Sequence, residues 1–337
     1  MEDEIDIEDL IEEEQCVFSI SNQGYVKRMP VDTYRTQSRG GRGVNAQNLK
    51  EEDFVKSIVV ASTHDHMLFF TDTGRVHHRK GYQIPEAGRT ARGTAIVNIL
   101  PLEQGESVTA VVTTREFQEN EYLVMVTRNG TVKRMNFETL STRRKGGIRA
   151  QTLDDNDHLI NVMRTKGEDN ILIATAQGMA ICFKETDARP MGRDAAGVRG
   201  ISLSEGDYVV GAEKAEEGKC LLTVTERGYG KRTELSEYLR PDAEGNKTAQ
   251  NRGGKGLKNY NITAKTGLVA GCRVVSEEDD VMLIENGGVI IRIPASSINV
   301  YKRDTQGVIV MRIAEENKVV SLERIDAMEE EVPSEEG

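Results

Sequence analysis

The chain contains no tryptophan, and aromatic residues of all kinds make up only 5% of it. Sheets that read single-stranded RNA do so by stacking bases on an aromatic platform, and no such stripe is present. Cysteine is nearly as scarce, with four residues in 337. Cys16, Cys182, Cys220 and Cys272 lie far apart, without a C-x-x-C pair, each in or beside an apolar strand-like run. They read as core thiols, not as a zinc site or disulfide framework. His64 and His66, with His77 and His78 on the next strand, lack further ligands at fixed spacing and read as turn and rim polarity, so no metal is expected. No run approaches the roughly 18 apolar residues of a membrane span. The acidic start has no basic n-region of a signal peptide, so a cytoplasmic protein with no membrane partner is expected. Carboxylate pairs, nucleophilic triads and phosphate loops are also missing, so neither catalytic residues nor a cofactor of the chain's own is expected.

The formal charge of −11 belongs to the ends of the chain. Residues 1–14 hold 9 acids and residues 326–337 hold 6, with no Lys or Arg in either stretch. With those set aside, the 40 acids of residues 15–325 face all 44 Lys and Arg, a body charge of about +4. The expected organisation is an acidic linker over 1–14, a folded body over 15–325 and an acidic disordered tail over 326–337. The tail's carboxylates are candidates to compete with nucleic acid for the basic body.

Glycine, by contrast, is plentiful at 32. A strand–turn–strand unit recurs around Gly24, Gly74, Gly130, Gly178, Gly228 and Gly288, at spacings of 50, 56, 48, 50 and 60 residues. Each unit reads as a β-hairpin with a two-residue turn ending in glycine. A polar basic loop follows, then a short strand such as GVRGISL, an acidic turn and a last strand such as FVKSIVVAS. Four strands in about 50 residues are the pattern of a propeller blade. The predicted fold is therefore all-β, a six-bladed, propeller-like disc of roughly four-stranded blades. The WD dipeptide of the WD40 family is absent.

Basic residues recur at one place per repeat. Four residues past each turn glycine stand Arg28, His78, Arg134, Cys182, Arg232 and Arg292, with Lys27, Lys133 and Lys231 preceding three of them. The loops add Arg35, Arg39 and Arg42; Arg89 and Arg92; Arg143, Arg144, Lys145 and Arg149; Arg189, Arg193 and Arg199; Lys247, Arg252, Lys255 and Lys258; and Lys302 and Arg303. Radial repetition would carry these charges to equivalent places on a rim. Duplex DNA presents one charge per about 1.7 Å, and phosphate neutralisation drives sequence-independent binding. The expected partner is double-stranded DNA. The expected contacts are Lys27, Arg28, Arg75, Arg79, Arg89, Arg92, Lys133, Arg134, Arg143, Arg144, Lys145, Arg193, Lys231, Arg232, Arg252, Lys255, Arg292 and Arg303.

The first loop, Gln37-Ser38-Arg39-Gly40-Gly41-Arg42-Gly43, closely resembles the box Q-R-R-G-G-K-G of the C-terminal domains of DNA gyrase A subunits. Ser38 stands where the box has arginine and Arg42 where it has lysine. The segments GYQIPEA, IVNILPLEQ, GYGKR and DTQGVIVMR are similar to that family too, and the resemblance covers residues 7–325. Paired glycines let a backbone approach phosphates, and guanidinium groups grip phosphate oxygens in bidentate fashion. The resemblance implies a β-pinwheel whose blades exchange strands and whose rim wraps DNA with positive handedness, with the box residues Gln37 to Gly43 as contacts. It implies a non-catalytic part of an ATP-dependent type II topoisomerase acting in the cytoplasm at the nucleoid. The cleavage tyrosine would lie elsewhere in the gyrase A polypeptide, and ATP and magnesium would belong to an A2B2 assembly formed with gyrase B. The alternatives are the corresponding domain of topoisomerase IV, which generally lacks an intact box, and a propeller scaffold for protein partners. A second box-like run, Gln250 to Gly256, lies in the fifth repeat.

Overall fold

The computed structural model describes residues 6–38, 53, 55–141 and 147–325. Six antiparallel sheets follow one another, each built on one of the six hairpins. Blade one orders its strands Val55–Ser62, Gln15–Ser21, Tyr25–Pro30 and Thr94–Ala95. The last of these belongs to the second sequence repeat. The same exchange recurs: Ile148–Arg149 completes blade two, Val198–Arg199 blade three, Leu257–Lys258 blade four and Val308–Ile309 blade five. Among the described residues blade six has three strands, Ile290–Pro294, Asp280–Glu285 and Val319–Ile325. The described blades fall into two compact units, the first with blades one and two, the second with blades three to six.

The hairpins form where the sequence places them, with one difference in the turn. Gly24 is the fourth residue of a β-turn closed by its own N–H on the Ser21 carbonyl, at φ +87°, and the central pair is Asn22 and Gln23. A left-handed residue after a type I-like turn suits glycine, which has no Cβ to clash. In five of the six turns the opening residue carries a hydroxyl that accepts the N–H four residues on: Tyr25 to Ser21 at 3.0 Å, Arg75 to Thr71 at 3.4 Å, Thr131 to Thr127 at 3.2 Å, Met179 to Thr175 at 3.1 Å and Tyr229 to Thr225 at 3.2 Å; Glu285 opens the sixth.

Near-continuous apolar runs arise because both faces of an inner hairpin are covered. In blade four, Ile171, Ile173, Ile181 and Phe183 pack with Val124, Val126 and Val132 of blade three. The alternate residues Leu172, Ala174, Ala180 and Cys182 pack with Leu221 and Val274 of blade five and with Tyr238. Cys16, Cys182 and Cys272 are buried, as expected of core thiols, whereas Cys220 is only half-buried.

Two segments read as loops are ordered differently. Val31–Ser38 is an α-helix where the other repeats have 3-10 turns, as at Gly81–Gln83 and Glu185–Asp187. Pro30 presets φ just ahead of its first turn, Asp32 complements the helix dipole there, and no glycine interrupts it. In the fifth repeat Arg240–Pro241 and Lys247–Thr248 form a two-stranded ribbon. Part of the acidic start is engaged: Glu8 lies 3.3 Å from Lys80, Glu14 lies 3.7 Å from Arg28, and Glu13 pairs with Arg115 at 2.5 Å.

Candidate nucleic-acid interface

The Lys-Arg pairs, predicted as rim charges, are clamps for the following repeat. Lys27 Nζ donates to the carbonyl oxygens of Gly88, Arg89 and Ala91 at 3.0, 2.9 and 2.9 Å. Lys133 donates to the Arg193 carbonyl at 2.8 Å. Lys231 donates to the carbonyls of Lys302, Arg303 and Thr305 at 2.9, 2.6 and 3.0 Å, beside the Tyr260 ring. Lys133 and Lys231 are 0% exposed, and burial pulls the pKa of each down to about 8. Burial lowers that of Lys27 as well.

The neighbouring arginines work alike. Arg28 Nε donates to the Ile84 carbonyl at 2.7 Å and Arg232 Nε to the Ile298 carbonyl at 2.6 Å. Arg134 pairs with the buried Glu185 at 3.1 Å and covers the Tyr122 ring at 3.9 Å. Parallel backbone bridges Arg28–Glu86, Arg134–Pro190 and Arg232–Val300 complete each clamp. The expectation that Lys133, Arg134, Lys231 and Arg232 are surface contacts is therefore corrected: the next repeat's loop folds over them. Lys27, Arg28 and Arg79 are half-buried, with Arg79 donating to the Ile99 carbonyl at 2.8 Å and the His78 carbonyl at 2.7 Å.

Other predicted residues do reach solvent. Arg75, Arg89, Arg92, Lys255 and Arg292 are exposed, and Arg193, Arg252 and Arg303 are partly so. Some are engaged: Arg292 pairs with Asp280 at 2.8 Å, Arg92 lies over Tyr25 at 4.7 Å, and Arg252 donates to the carbonyls of Asp187 at 2.9 Å and Arg199 at 2.7 Å. Arg303 donates to the Lys258 carbonyl at 2.9 Å. Gln37 and Ser38 end the α-helix. Arg39, Gly40, Gly41, Arg42, Gly43, Arg143, Arg144 and Lys145 lie outside the described residues.

Three further charges acquire a shared geometry. Arg149, Arg199 and Lys258, counted in sequence among the loop charges with Arg199 also in the short strand GVRGISL, are all exposed and occupy the second position of the exchanged strand. Arg149 lies directly opposite Arg75, a like-charge cross-strand pair that is unfavourable without a nearby anion. Glu103 reaches one side of that pair, 3.6 Å from Arg75. The signal available in sequence is a glycine two residues earlier: Gly147, Gly197 and Gly256. At Gly197 (φ +108°) and Gly256 (φ +77°) a Cβ would overlap the carbonyls of Val132 and Ala180, so only glycine lets the exchanged strand approach. No group of three or more His, Cys, Asp or Glu side chains suited to a metal occurs among the described residues.

This architecture matches known proteins throughout. The family model described as DNA gyrase C-terminal domain, beta-propeller, covers residues 17–62, 65–115, 121–166, 169–216, 221–241, 249–276 and 279–326. The DNA gyrase A protein of Clostridium acetobutylicum is 46% identical over 325 residues, 96% of this chain and 38% of that protein. The chain thus spans well under half the length of that relative. The solved C-terminal domain of DNA topoisomerase IV aligns with a TM-score of 0.80 at 25% identity, over 95% of this chain and 96% of that one. A solved DNA gyrase A C-terminal domain aligns with a TM-score of 0.70 at 23% identity, over 93% of this chain and 100% of that one. With six hairpin units matched along the chain, it belongs to the DNA gyrase C-terminal domain, beta-propeller family.

Proposed function

We propose that this chain is a non-catalytic DNA-binding domain that wraps duplex DNA with positive handedness around a basic edge, enabling negative supercoiling by an ATP-driven topoisomerase. The observation that carries the reading is the recurrence of Arg149, Arg199 and Lys258 at one register of successive exchanged strands, exposed and flanked by basic loops. Within the second unit, the equivalent cations Arg199 and Lys258 on successive blades can engage phosphates of one duplex, and such contacts fix register without reading bases. Bending DNA by 40–90° over 20–30 bp costs roughly 1–6 kcal/mol, so contacts must continue from blade to blade to offset it.

The box residues Gln37 to Gly43, with Arg143, Arg144 and Lys145, are assigned to the same interface. Partners are double-stranded DNA, the rest of a gyrase A polypeptide and gyrase B, in an A2B2 assembly. ATP and magnesium act in those other parts, and the setting is the cytoplasm at the nucleoid. The match to the family model described as DNA gyrase C-terminal domain and the 46% identity to a gyrase A protein support gyrase over topoisomerase IV.

The test is ligation of nicked circular DNA with increasing protein, followed by topoisomer analysis. Captured positive writhe at low stoichiometry is expected. Binding without writhe, or a nearly flat salt titration, would remove the wrapping reading.

A further inference from the structure

We propose that Lys27, Lys133 and Lys231 are positioning residues for the duplex-binding loops: each holds the backbone of the following repeat's loop inward and thereby turns that loop's basic side chains outward. The proposal rests on the DNA-binding reading above. Its geometry recurs in blades one, three and five, where the lysine three residues past the turn glycine bonds the carbonyl of a loop arginine, Arg89, Arg193 or Arg303. A carbonyl drawn inward toward an ammonium leaves the side chain of the same residue on the other side of the backbone. The loop charges so presented are Arg89 and Arg92, then Arg193, then Lys302 and Arg303; Arg89, Arg92 and Lys302 are exposed, Arg193 is partly so, and Arg303 is partly exposed with one nitrogen on the Lys258 carbonyl.

Blade four, which lacks this lysine, gives a comparison. Blade four has Ile181 at the position, fully buried, and there the loop's own Arg252 bonds the Asp187 and Arg199 carbonyls. Gln250 adds bonds through its N–H to the Cys182 carbonyl and through Nε2 to the Tyr238 carbonyl. In blade four a loop arginine thus holds backbone that the lysine holds elsewhere, although Arg303 beside Lys231 also bonds one carbonyl, that of Lys258. In blades one, three and five the lysine takes over the task of holding the loop backbone.

Lys231 gives the cleanest test because its side chain cannot reach a phosphate. The full chain, Lys231→Met, Lys302→Ala with Arg303→Ala, and the triple variant are titrated with a long duplex at several salt concentrations. Losing one or two phosphate contacts lowers the salt slope by about 0.9 to 1.8, which is roughly 3- to 12-fold less affinity lost between 50 and 200 mM salt. Lys231→Met is expected to lower the slope as the loop pair does, with no further loss in the triple variant. A wild-type slope in Lys231→Met, with only its melting temperature reduced, would make the lysine merely structural and overturn the proposal. If Lys231→Met does not fold, the half-buried Lys27→Met is crossed with Arg89→Ala and Arg92→Ala, and additive losses there overturn it. A wild-type protein without salt-dependent binding would instead sink the DNA-binding reading.

Discussion

Replacing Arg134 by methionine separates a clamp from a surface contact. Arg134 is 6% exposed and its partner Glu185 1%. Glu185 Oε1 accepts from Arg134 Nε at 3.1 Å and from the Thr165 hydroxyl at 2.8 Å, and Oε2 accepts the Asp169 N–H at 2.8 Å. The guanidinium also donates to the carbonyls of Ala188 and Gly167 at 3.4 and 3.3 Å. Arg134→Met keeps apolar packing on Tyr122 but leaves a buried carboxylate without its cation, a change that costs about 3–5 kcal/mol. For a folded unit of 150–250 residues that is a melting-point loss of roughly 6–20 °C. Without tryptophan, unfolding is best followed by far-ultraviolet circular dichroism. Arg232→Met should cost less, because Arg232 bonds mainly carbonyls and its acidic neighbour Glu277, 3.9 Å away, is 78% exposed. Glu185→Gln in the Arg134→Met background should recover part of the loss, through a coupling of about 0.5–3 kcal/mol. If Arg134→Met melts within about 1 kcal/mol of wild type but loses DNA affinity, the clamp reasoning fails and the residue is a contact after all.

Acid should weaken the first unit before carboxylates titrate. Burial holds His66 down to about 4 and lowers His77, so both are neutral in the folded state over a range where an unfolded chain takes up protons. Stability is then fully present above about pH 6.5 and falls as pH drops toward 4, by about 3 kcal/mol for His66, and a melting series with a flat profile there would refute it. Arg149→Ala, Arg199→Ala and Lys258→Ala together should weaken duplex binding and lower the salt slope by about three with little change in melting temperature; a purely thermal defect would remove them from the interface. Arg39→Ala with Arg42→Ala should nearly abolish captured writhe while most DNA affinity survives. Arg252→Ala with Lys255→Ala should reduce writhe only in part, and a reversed order in topoisomer analysis would reassign the functional box. Truncation after Ile325 should tighten DNA binding, most at low salt where screening is weak; unchanged affinity would leave the tail a solvating segment.

The repeat, the hairpins and the all-β class were legible in sequence because they are local. A glycine closing the turn, in five of the six copies a hydroxyl opening it, and an apolar run leading in sit within about 15 residues, and the six copies reinforce one another. The segregation of acid to the two ends was equally local. What the tertiary structure decided was which repeated charges reach solvent. Lys27, Lys133 and Lys231 look like strand-end cations beside exposed turns, yet the carbonyls that capture them lie 60 to 74 residues further along the chain. Burial of a charge depends on what folds over it, and here that is the next repeat, brought across by strand exchange. The same exchange gave Arg149, Arg199 and Lys258, which sequence had counted only among the loop charges or, for Arg199, also in a short strand, the same register, each within its own blade. Local pattern fixed the blades, and non-local hydrogen bonding divided their basic residues into those that hold the protein together and those that face outward.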